Sequence, residues 1–162
     1  HIVGITPEAN DLAAVGGTAL PSVKITDNDL SALRSDFGGK GDRPDVVVFA
    51  APQLSIVEME QVTKLVDGQN LKIPMIVCTS PQTYGDAKRM GFVSKIENAG
   101  GTVLEGTCFY QQGAREIGEA NGWVRLLSNS AKIVNILGGY GYKPALASMK
   151  ECVAAAIEGK IN

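Results

Sequence analysis

The sequence predicts an α/β fold, a three-layer α/β/α domain built around a mostly parallel sheet. Short apolar segments alternate along most of the chain with segments of helical spacing, and strands that alternate with helices are joined by parallel crossovers. The continuous apolar run Val46–Phe49 is typical of a strand covered on both faces. The 162 residues are 44% apolar and 20% charged, which is enough for one compact domain with a core or for two small lobes.

Residues 1–44 lack the regular alternation of the rest. Ile2–Ile5 is interpreted as a strand entering a turn, Asp29–Leu33 as a short helix, and 38–44, with three glycines and a proline, as a loop. We therefore expect 1–44 to be an irregular N-terminal segment and 45–162 to form the α/β/α domain. Because the first residue is His1 rather than Met, we also expect the sequence to be a piece of a longer chain.

Five strands, each followed by a helix, are predicted from residue 45 onward. Capping boxes, which satisfy free N–H groups at a helix start, are indicated by Ser55 with Glu58 and by Ser148 with Glu151. Glycines suit the helix ends. The strands are expected at 45–50, 73–78, 102–105, 123–127 and 144–147, and the helices at 55–67, 84–98, 112–120, 130–137 and 148–157.

Composition argues against several classes of protein. The net charge is -2 and the fifteen basic residues are scattered, so no basic stripe indicates a nucleic-acid partner. No apolar run approaches the roughly 20 residues that span a bilayer, and no secretory pattern opens the chain. We expect a cytoplasmic protein that does not enter a membrane, with its three cysteines reduced.

Polar or cysteine-bearing turns follow all five predicted strands. The carboxyl ends of parallel strands lie at one edge of a sheet, where helix N-termini present free N–H groups and ligands commonly bind. We therefore expect a small-molecule site at this edge. The turns are 52–55, 79–81, 106–108, 128–132 and 148–152.

The fourth turn carries the densest polar chemistry. Ser128, Asn129, Ser130 and Lys132 place two hydroxyls, an amide and an ammonium together, which suits a carboxylate or a phosphate. The same residues also fit an ordinary helix cap with a solvated lysine. The turn lacks the glycines of a Walker loop.

The cysteines allow a metal site or simple packing. Cys108 directly follows a strand and Cys152 lies in the first turn of a helix, where the helix dipole favours a thiolate. The two can share a soft metal or an iron–sulfur cluster, although a cubane needs more protein ligands than two. Buried packing is the more common role of cysteine, and Cys78 is interpreted as core.

The remaining candidates lie near the start of the chain. His1 is the only histidine, which argues against a Ser/His/Asp or Cys/His nucleophile. Thr6 and Glu8 flank a proline turn and can orient a substrate, although the same pattern also opens helices.

Taken together, these segments resemble the large catalytic part of the aconitase X family, a branch of the aconitase superfamily. The resemblance implies an aconitase-like α/β/α domain and covers nearly the whole chain in family order. The matching stretches are His1–Ala9 (HIVGITPEA), Ala51–Glu58 (APQLSIVE), Gly100–Cys108 (GGTVLEGTC), Ser128–Lys132 (SNSAK) and Ser148–Gly159 (SMKECVAAAIEG).

The resemblance implies a hydro-lyase that removes water from a small hydroxy acid, with an iron–sulfur cluster as Lewis acid. It implies Cys108 and Cys152 as metal ligands, with a further ligand outside this chain. It also implies an upstream catalytic region, to which 1–44 belongs, and a small swivelling domain or subunit. The implied substrate-binding residues are Thr6, Glu8, Ser55, Ser128, Asn129 and Ser130.

The implied substrate is cis-3-hydroxy-L-proline or mevalonate 5-phosphate. We favour the first, because the chain has no basic cluster for a phosphate beyond Lys132. Lys132 is also the candidate catalytic base, since burial of a lysine favours its neutral form. We expect the isolated chain to be inactive.

Two departures from the family pattern point to another substrate branch. Ala50-Ala51-Pro52-Gln53 stands where the family often has Gly-Cys-Pro-His, and Gly106 stands where it has Asp. A non-catalytic α/β binding or assembly domain, with its cysteines in the core, is the alternative.

Overall fold

The computed structural model describes all 162 residues and divides into two compact units, His1–Ala32 and Leu33–Asn162. The first unit contains turns, a 3₁₀ helix, Gly17–Ala19, and the start of a longer helix. Helix α1 (Asp27–Asp36) crosses the division and is longer than the predicted helix. The sequence pattern predicts the division at residue 44. Residues 37–42 belong to the second unit because they exchange backbone hydrogen bonds with Leu146 and Ile161.

The predicted strand at Ile2–Ile5 is wrong. The carbonyl of Ile2 accepts the N–H groups of Ile5 and Thr6 at 3.1 and 2.9 Å, which closes a turn. The side chains of Ile2 and Ile5 are 62% and 75% exposed, so no burial favours an extended strand here.

The second unit is built on a five-stranded parallel sheet of order β3-β2-β1-β4-β5, which confirms the predicted fold class. β1 lies at the centre because its run of apolar residues is buried on both faces. β1 is also longer than predicted and continues through Ala51 and Pro52, with an irregular register between Phe49 and Leu54. The strands are β1 (Val46–Leu54), β2 (Met75–Thr79), β3 (Gly101–Glu105), β4 (Arg125–Ser128) and β5 (Lys143–Leu146).

Helices cover both faces of this sheet. Both predicted capping boxes form, at Ser55 and Ser148. The single helix predicted over 84–98 is wrong, because Gly91 takes a left-handed φ of 78° and separates two helices. The helices of the second unit are α2 (Ile56–Val66), α3 (Pro81–Arg89), α4 (Phe92–Asn98), α5 (Ala114–Asn121), α6 (Ala131–Leu137) and α7 (Met149–Glu158). None of the helices is both long and apolar enough to span a membrane.

Alternate residues of the central strands face two separate cores. One core, here called the aliphatic cluster, packs beneath α2, α3, α4 and α7 and includes Val47, Phe49, Met75, Val77, Leu127 and Cys152. The other, here called the thiol cluster, packs beneath α5 and α6 and includes Val48, Ala51, Cys78, Cys108, Phe109 and Tyr142. The sheet separates the two clusters, since a strand's successive side chains point to opposite faces.

The strand order reverses between β1 and β4. The chain leaves β1 for α2 on one face of the sheet and leaves β4 for α6 on the other. Ligands of open α/β sheets bind outside the carboxyl ends of the strands at such a switch point. The residues at this switch point are 51–55, at the end of β1, and 128–132, at the end of β4.

Candidate functional site

The end of β1 is held by the turns on both sides of it. Ala51 has a positive φ of 50° and precedes a cis peptide bond to Pro52. The carbonyl of Ala51 accepts the hydroxyl of Ser130 at 2.6 Å. On the other side, Gln53 Nε2 donates to the carbonyl of Thr107 at 2.8 Å. These contacts join the first, third and fourth turns into one site.

The two serines of the fourth turn are buried and face the protein. The Ser128 hydroxyl donates to the carbonyl of Val48 at 2.7 Å and accepts the N–H of Ser130 at 3.2 Å. The Ser130 oxygen also accepts the N–H of Ile133 at 3.2 Å and so caps α6. Both hydroxyls are therefore engaged within the chain and position the turn.

Asn129 and Lys132 remain free in the same turn. Asn129 is half-buried, and its amide makes no hydrogen bond within the chain. Lys132 has no acidic partner, and its Nζ lies 5.6 Å from the ring centroid of Tyr110, in a cation–π arrangement. The burial expected for Lys132 is wrong: its side chain is exposed, while Ile133 beside it enters the core.

The structure places Cys108 and Cys152 in different core clusters. Cys108 follows β3, the outermost strand on one side of the sheet, and lies in the thiol cluster. Cys152 follows β5, the outermost strand on the other side, and lies in the aliphatic cluster on the opposite face of the sheet. Burial, and secondarily the nearby Glu151 carboxylate, raises the pKa of the Cys152 thiol. The thiolate expected at this helix start is therefore disfavoured.

Cys78 is the thiol that lies with Cys108. It is fully buried in the thiol cluster, at the end of β2. Burial, and then the proximity of Cys108, raises the pKa of Cys78 to about 11, while the backbone N–H of Phe109 partly opposes this increase. The prediction that Cys78 is a core residue is confirmed.

The other predicted binding residues make local contacts. The exposed Ser55 hydroxyl donates to Glu58 Oε2 at 2.7 Å and closes the capping box of α2. In the first unit, Thr6 Oγ1 accepts the N–H of Ile2 at 2.8 Å, and the Glu8 carboxylate lies 3.2 Å from His1 Nδ1. Their roles in substrate binding stay predictions.

The residues of this chain do not form a complete metal site. No group of three or more His, Cys, Asp and Glu side chains is placed to hold an ion. Cys108 and Cys152 pack in different core clusters, and their role as ligands of one iron–sulfur cluster stays a prediction.

Comparison with known proteins agrees with this architecture. The family model described as the aconitase X third domain matches residues 44–158. The chain is 24% identical over 159 residues to a phosphomevalonate dehydratase large subunit of Thermococcus kodakarensis, covering 96% of this chain and 39% of the relative. It is 26% identical over 166 residues to a cis-3-hydroxy-L-proline dehydratase of Pseudomonas aeruginosa, covering 99% of this chain and 28% of the relative.

A solved structure shares the fold. The holo-form of Thermococcus kodakaraensis aconitase X superposes with a TM-score of 0.73 at 20% identity, over 94% of this chain and 38% of the solved chain. This chain therefore spans about two fifths or less of the length of these proteins. Because the family model matches well over half of its residues, the chain belongs to the aconitase X family.

Proposed function

We propose that this chain forms the part of an aconitase X-type hydro-lyase that binds the carboxylate of a small hydroxy acid. The observation that carries the proposal is the fourth turn at the switch point of the sheet. There, the Asn129 amide and the Lys132 ammonium have no polar partner in the chain, while Ser128 and Ser130 fix the backbone that presents them. Two relatives named as dehydratases support the reaction class.

The chemistry of these groups suits dehydration. Loss of water from a hydroxy acid removes a proton from carbon beside the carboxylate and hydroxide from the next carbon. Negative charge develops on the carboxylate as the proton leaves, so a cation and an amide donor at that carboxylate stabilise the transition state. The burial that would make Lys132 a base is absent, and we therefore assign Lys132 first to carboxylate binding.

The proposed substrate is cis-3-hydroxy-L-proline, with mevalonate 5-phosphate as the alternative. One carboxylate is matched by one lysine and one amide, whereas a phosphate dianion calls for more positive charge. Within the fourth turn Lys132 is the only basic residue. Relatives of both names match this chain at comparable identity.

We propose that Cys108 is a ligand to an iron–sulfur cluster whose other ligands lie outside this chain. Its place near the joined first, third and fourth turns supports this role. A cluster bound there would supply a Lewis acid for the leaving hydroxyl. The other ligands, an upstream catalytic region and a small closing domain or subunit are proposed partners, and the Thermococcus kodakarensis relative is named as a large subunit.

The test is an anaerobic dehydration assay on the protein that contains this chain. Cis-3-hydroxy-L-proline and mevalonate 5-phosphate are offered separately, and each dehydrated product is measured by mass spectrometry. We expect turnover of the hydroxyproline and none by the isolated 162-residue chain. Turnover of the phosphate alone would overturn the substrate assignment, and consumption of neither by iron-loaded protein would overturn the proposed activity.

A pair of lysine variants tests the site itself. Lys132→Met removes the proposed carboxylate partner and should lower kcat/KM by about 10- to 100-fold, since a hydrogen bond to a charged group contributes about 1.5–3 kcal/mol. Lys88→Met is the matched control, because Lys88 lies in a similar position 5.9 Å from the ring centroid of Tyr84. Equal kcat/KM values for the two variants would exclude the fourth turn as the carboxylate site.

The alternative is a non-catalytic binding or assembly domain. It is favoured by the burial of all three cysteines in the two core clusters. The Cys108→Ala variant separates the two functions when iron is measured in the protein that contains this chain. Loss of iron supports the enzyme, while unchanged iron with a lowered melting temperature supports the binding domain.

A further inference from the structure

We infer, on the basis of the proposed function, that Tyr110 is a positioning residue that holds the Lys132 ammonium ready for the substrate carboxylate. Tyr110 lies in the 3₁₀ helix Phe109–Gln111, directly after the third turn. Lys132 Nζ is 5.6 Å from the centroid of its ring, within the distance of about 6 Å at which an aromatic ring attracts a cation. The pair is therefore a direct side-chain contact between the region of the third turn and the fourth turn.

The Tyr110 ring has a well-packed support. It is half-buried against the thiol cluster, and its neighbour Phe109 is fully buried in that cluster. The Phe109 ring meets Tyr142 edge-on, with ring centroids 6.1 Å apart. The carbonyl of Cys108 accepts the N–H of Gln111 at 2.9 Å, which closes the 3₁₀ helix. The short helix thus presents the tyrosine ring from the edge of a core.

Lys132 benefits from such a support because its own surroundings do not order it. The side chain is exposed, and no ion pair of the chain includes it. An exposed ammonium on a flexible four-carbon stem occupies many positions, and binding a ligand restricts it to one of them. Contact with the Tyr110 ring restricts the stem before the substrate arrives, so less entropy is lost on binding.

A ring contact suits this task better than a salt bridge does. A carboxylate partner would neutralise the ammonium and occupy its N–H donors, whereas the face of a neutral ring attracts the cation through its quadrupole. Lys132 therefore keeps its charge and its donors for charge-assisted hydrogen bonds to the substrate carboxylate. The negative charge that develops there during proton loss meets a cation that is already in place.

A second lysine–tyrosine pair provides a matched control. Lys88 Nζ lies 5.9 Å from the ring centroid of Tyr84, and Tyr84 is half-buried against the aliphatic cluster. Both residues of this pair belong to α3, so their contact is local to one helix. Loss of the Tyr84 ring should therefore leave the fourth turn as it is.

The experiment measures kcat/KM of the protein that contains this chain, with whichever of the two hydroxy acids it dehydrates. Tyr110→Leu keeps an apolar side chain against the thiol cluster but removes the ring, and it should lower kcat/KM by about 2- to 5-fold. Tyr110→Phe keeps the ring and should retain the starting kcat/KM, as should the control Tyr84→Leu. An unchanged value for Tyr110→Leu, or an equal loss in Tyr110→Phe, would overturn the inference.

A double-mutant cycle separates positioning from a purely structural role. In protein that already carries Lys132→Met, adding Tyr110→Leu should cause no further loss of kcat/KM, because there is no ammonium to hold. Equal losses in the two backgrounds would give Tyr110 a structural role instead. If Tyr110→Leu does not fold, pentafluorophenylalanine at Tyr110 preserves the ring shape and reverses its charge distribution. It should lower kcat/KM relative to Tyr110→Phe, and equal values would overturn the positioning role.

The same variants distinguish failure of this role from failure of the proposed function. If Lys132→Met leaves kcat/KM unchanged, or if neither hydroxy acid is consumed, the proposed carboxylate site fails and the role of Tyr110 fails with it. If Lys132→Met lowers kcat/KM and Tyr110→Leu does not, the carboxylate site stands and only the positioning role is overturned.

Discussion

Two strand-to-helix turns of this chain look alike in sequence and differ in structure. The turn of residues 128–132 and the turn of residues 148–152 both open with serine, contain lysine and start a helix at the same edge of the sheet. In the later turn, Ser148 is exposed and closes a capping box with Glu151. In the earlier turn, Ser128 and Ser130 are buried and donate to the backbone of β1.

The difference shows how a turn becomes available for binding. A capping box satisfies its own polar groups within four residues and leaves little for a ligand. In the earlier turn the serine partners lie on β1, 80 and 79 positions away in sequence. The tertiary contacts satisfy the serines, so that Asn129 and Lys132 stay free at the switch point of the sheet.

The largest expected effect is a loss of stability when Ser130, the serine that caps α6, is replaced, compared with Ser148, the serine that caps α7. Ser130→Ala deletes a cap and leaves the buried carbonyl of Ala51 without its partner, so we expect a loss of about 2–3 kcal/mol in the free energy of unfolding. Ser148→Ala deletes only an exposed cap and should cost about 1 kcal/mol. Urea denaturation followed by circular dichroism measures both values.

Ser55→Ala is the matched control, since Ser55 closes the other exposed capping box with Glu58. Its cost should equal that of Ser148→Ala. If Ser130→Ala costs no more than these two, the tertiary bond to Ala51 adds nothing to stability, and the distinction between the turns fails.

This contrast also explains which features the sequence could predict. Patterns satisfied locally, such as the capping box of Ser148 and the apolar run of β1, were predicted correctly. The sequence did not predict that Lys132 is exposed and that Ser130 is buried, because both depend on which face of the sheet α6 covers. Hydrophobic periodicity predicts the helices and strands, whereas the order of the strands decides which turns lie next to each other at the carboxyl ends of the sheet.

The cysteines show the same limit. Cys108 and Cys152 both follow a strand at one edge, so sequence alone could place them together. Parallel pairing puts β3 and β5 at opposite ends of the sheet, and the helices after them cover opposite faces. The proximity of Cys78 and Cys108 depends on the register of β2 with β3, which no local pattern records.

A second effect, on the slope of stability against pH, should appear at alkaline pH in the later turn. Burial raises the pKa of Cys152 in the folded state above its ordinary value of 9.0. Below pH 9 the thiol is protonated in both the folded and the unfolded chain, so it does not change the free energy of unfolding with pH. As pH rises above 9, the unfolded chain loses the proton first, and stability falls by up to about 1.4 kcal/mol per pH unit.

Cys152→Ala removes this thiol, so its free energy of unfolding should decline less steeply above pH 9 than that of the unchanged chain. Urea midpoints at intervals from pH 7 upward give the slope. Ser130→Ala is the control for the comparison, because it lowers stability without removing a titrating group and should keep the original slope. A Cys152→Ala slope equal to the original would mean that the thiol is not buried as described.

The smallest expected effect is at acidic pH and concerns Glu151 in the later turn. Hydrogen bonds from the side chain and backbone of Ser148 hold the pKa of Glu151 below its ordinary value of 4.5. The stability from this cap is therefore present above pH 4.5 and is lost as pH falls below it, when the carboxylate takes up a proton in the folded state. Glu151 is exposed, so the loss should stay below about 1 kcal/mol.

Glu151→Gln should flatten this part of the pH profile, as measured by thermal unfolding between pH 3 and pH 6. The earlier turn has no carboxylate, and Ser130→Ala should leave the acidic slope unchanged; a change there would show that the two caps are coupled through the sheet rather than independent.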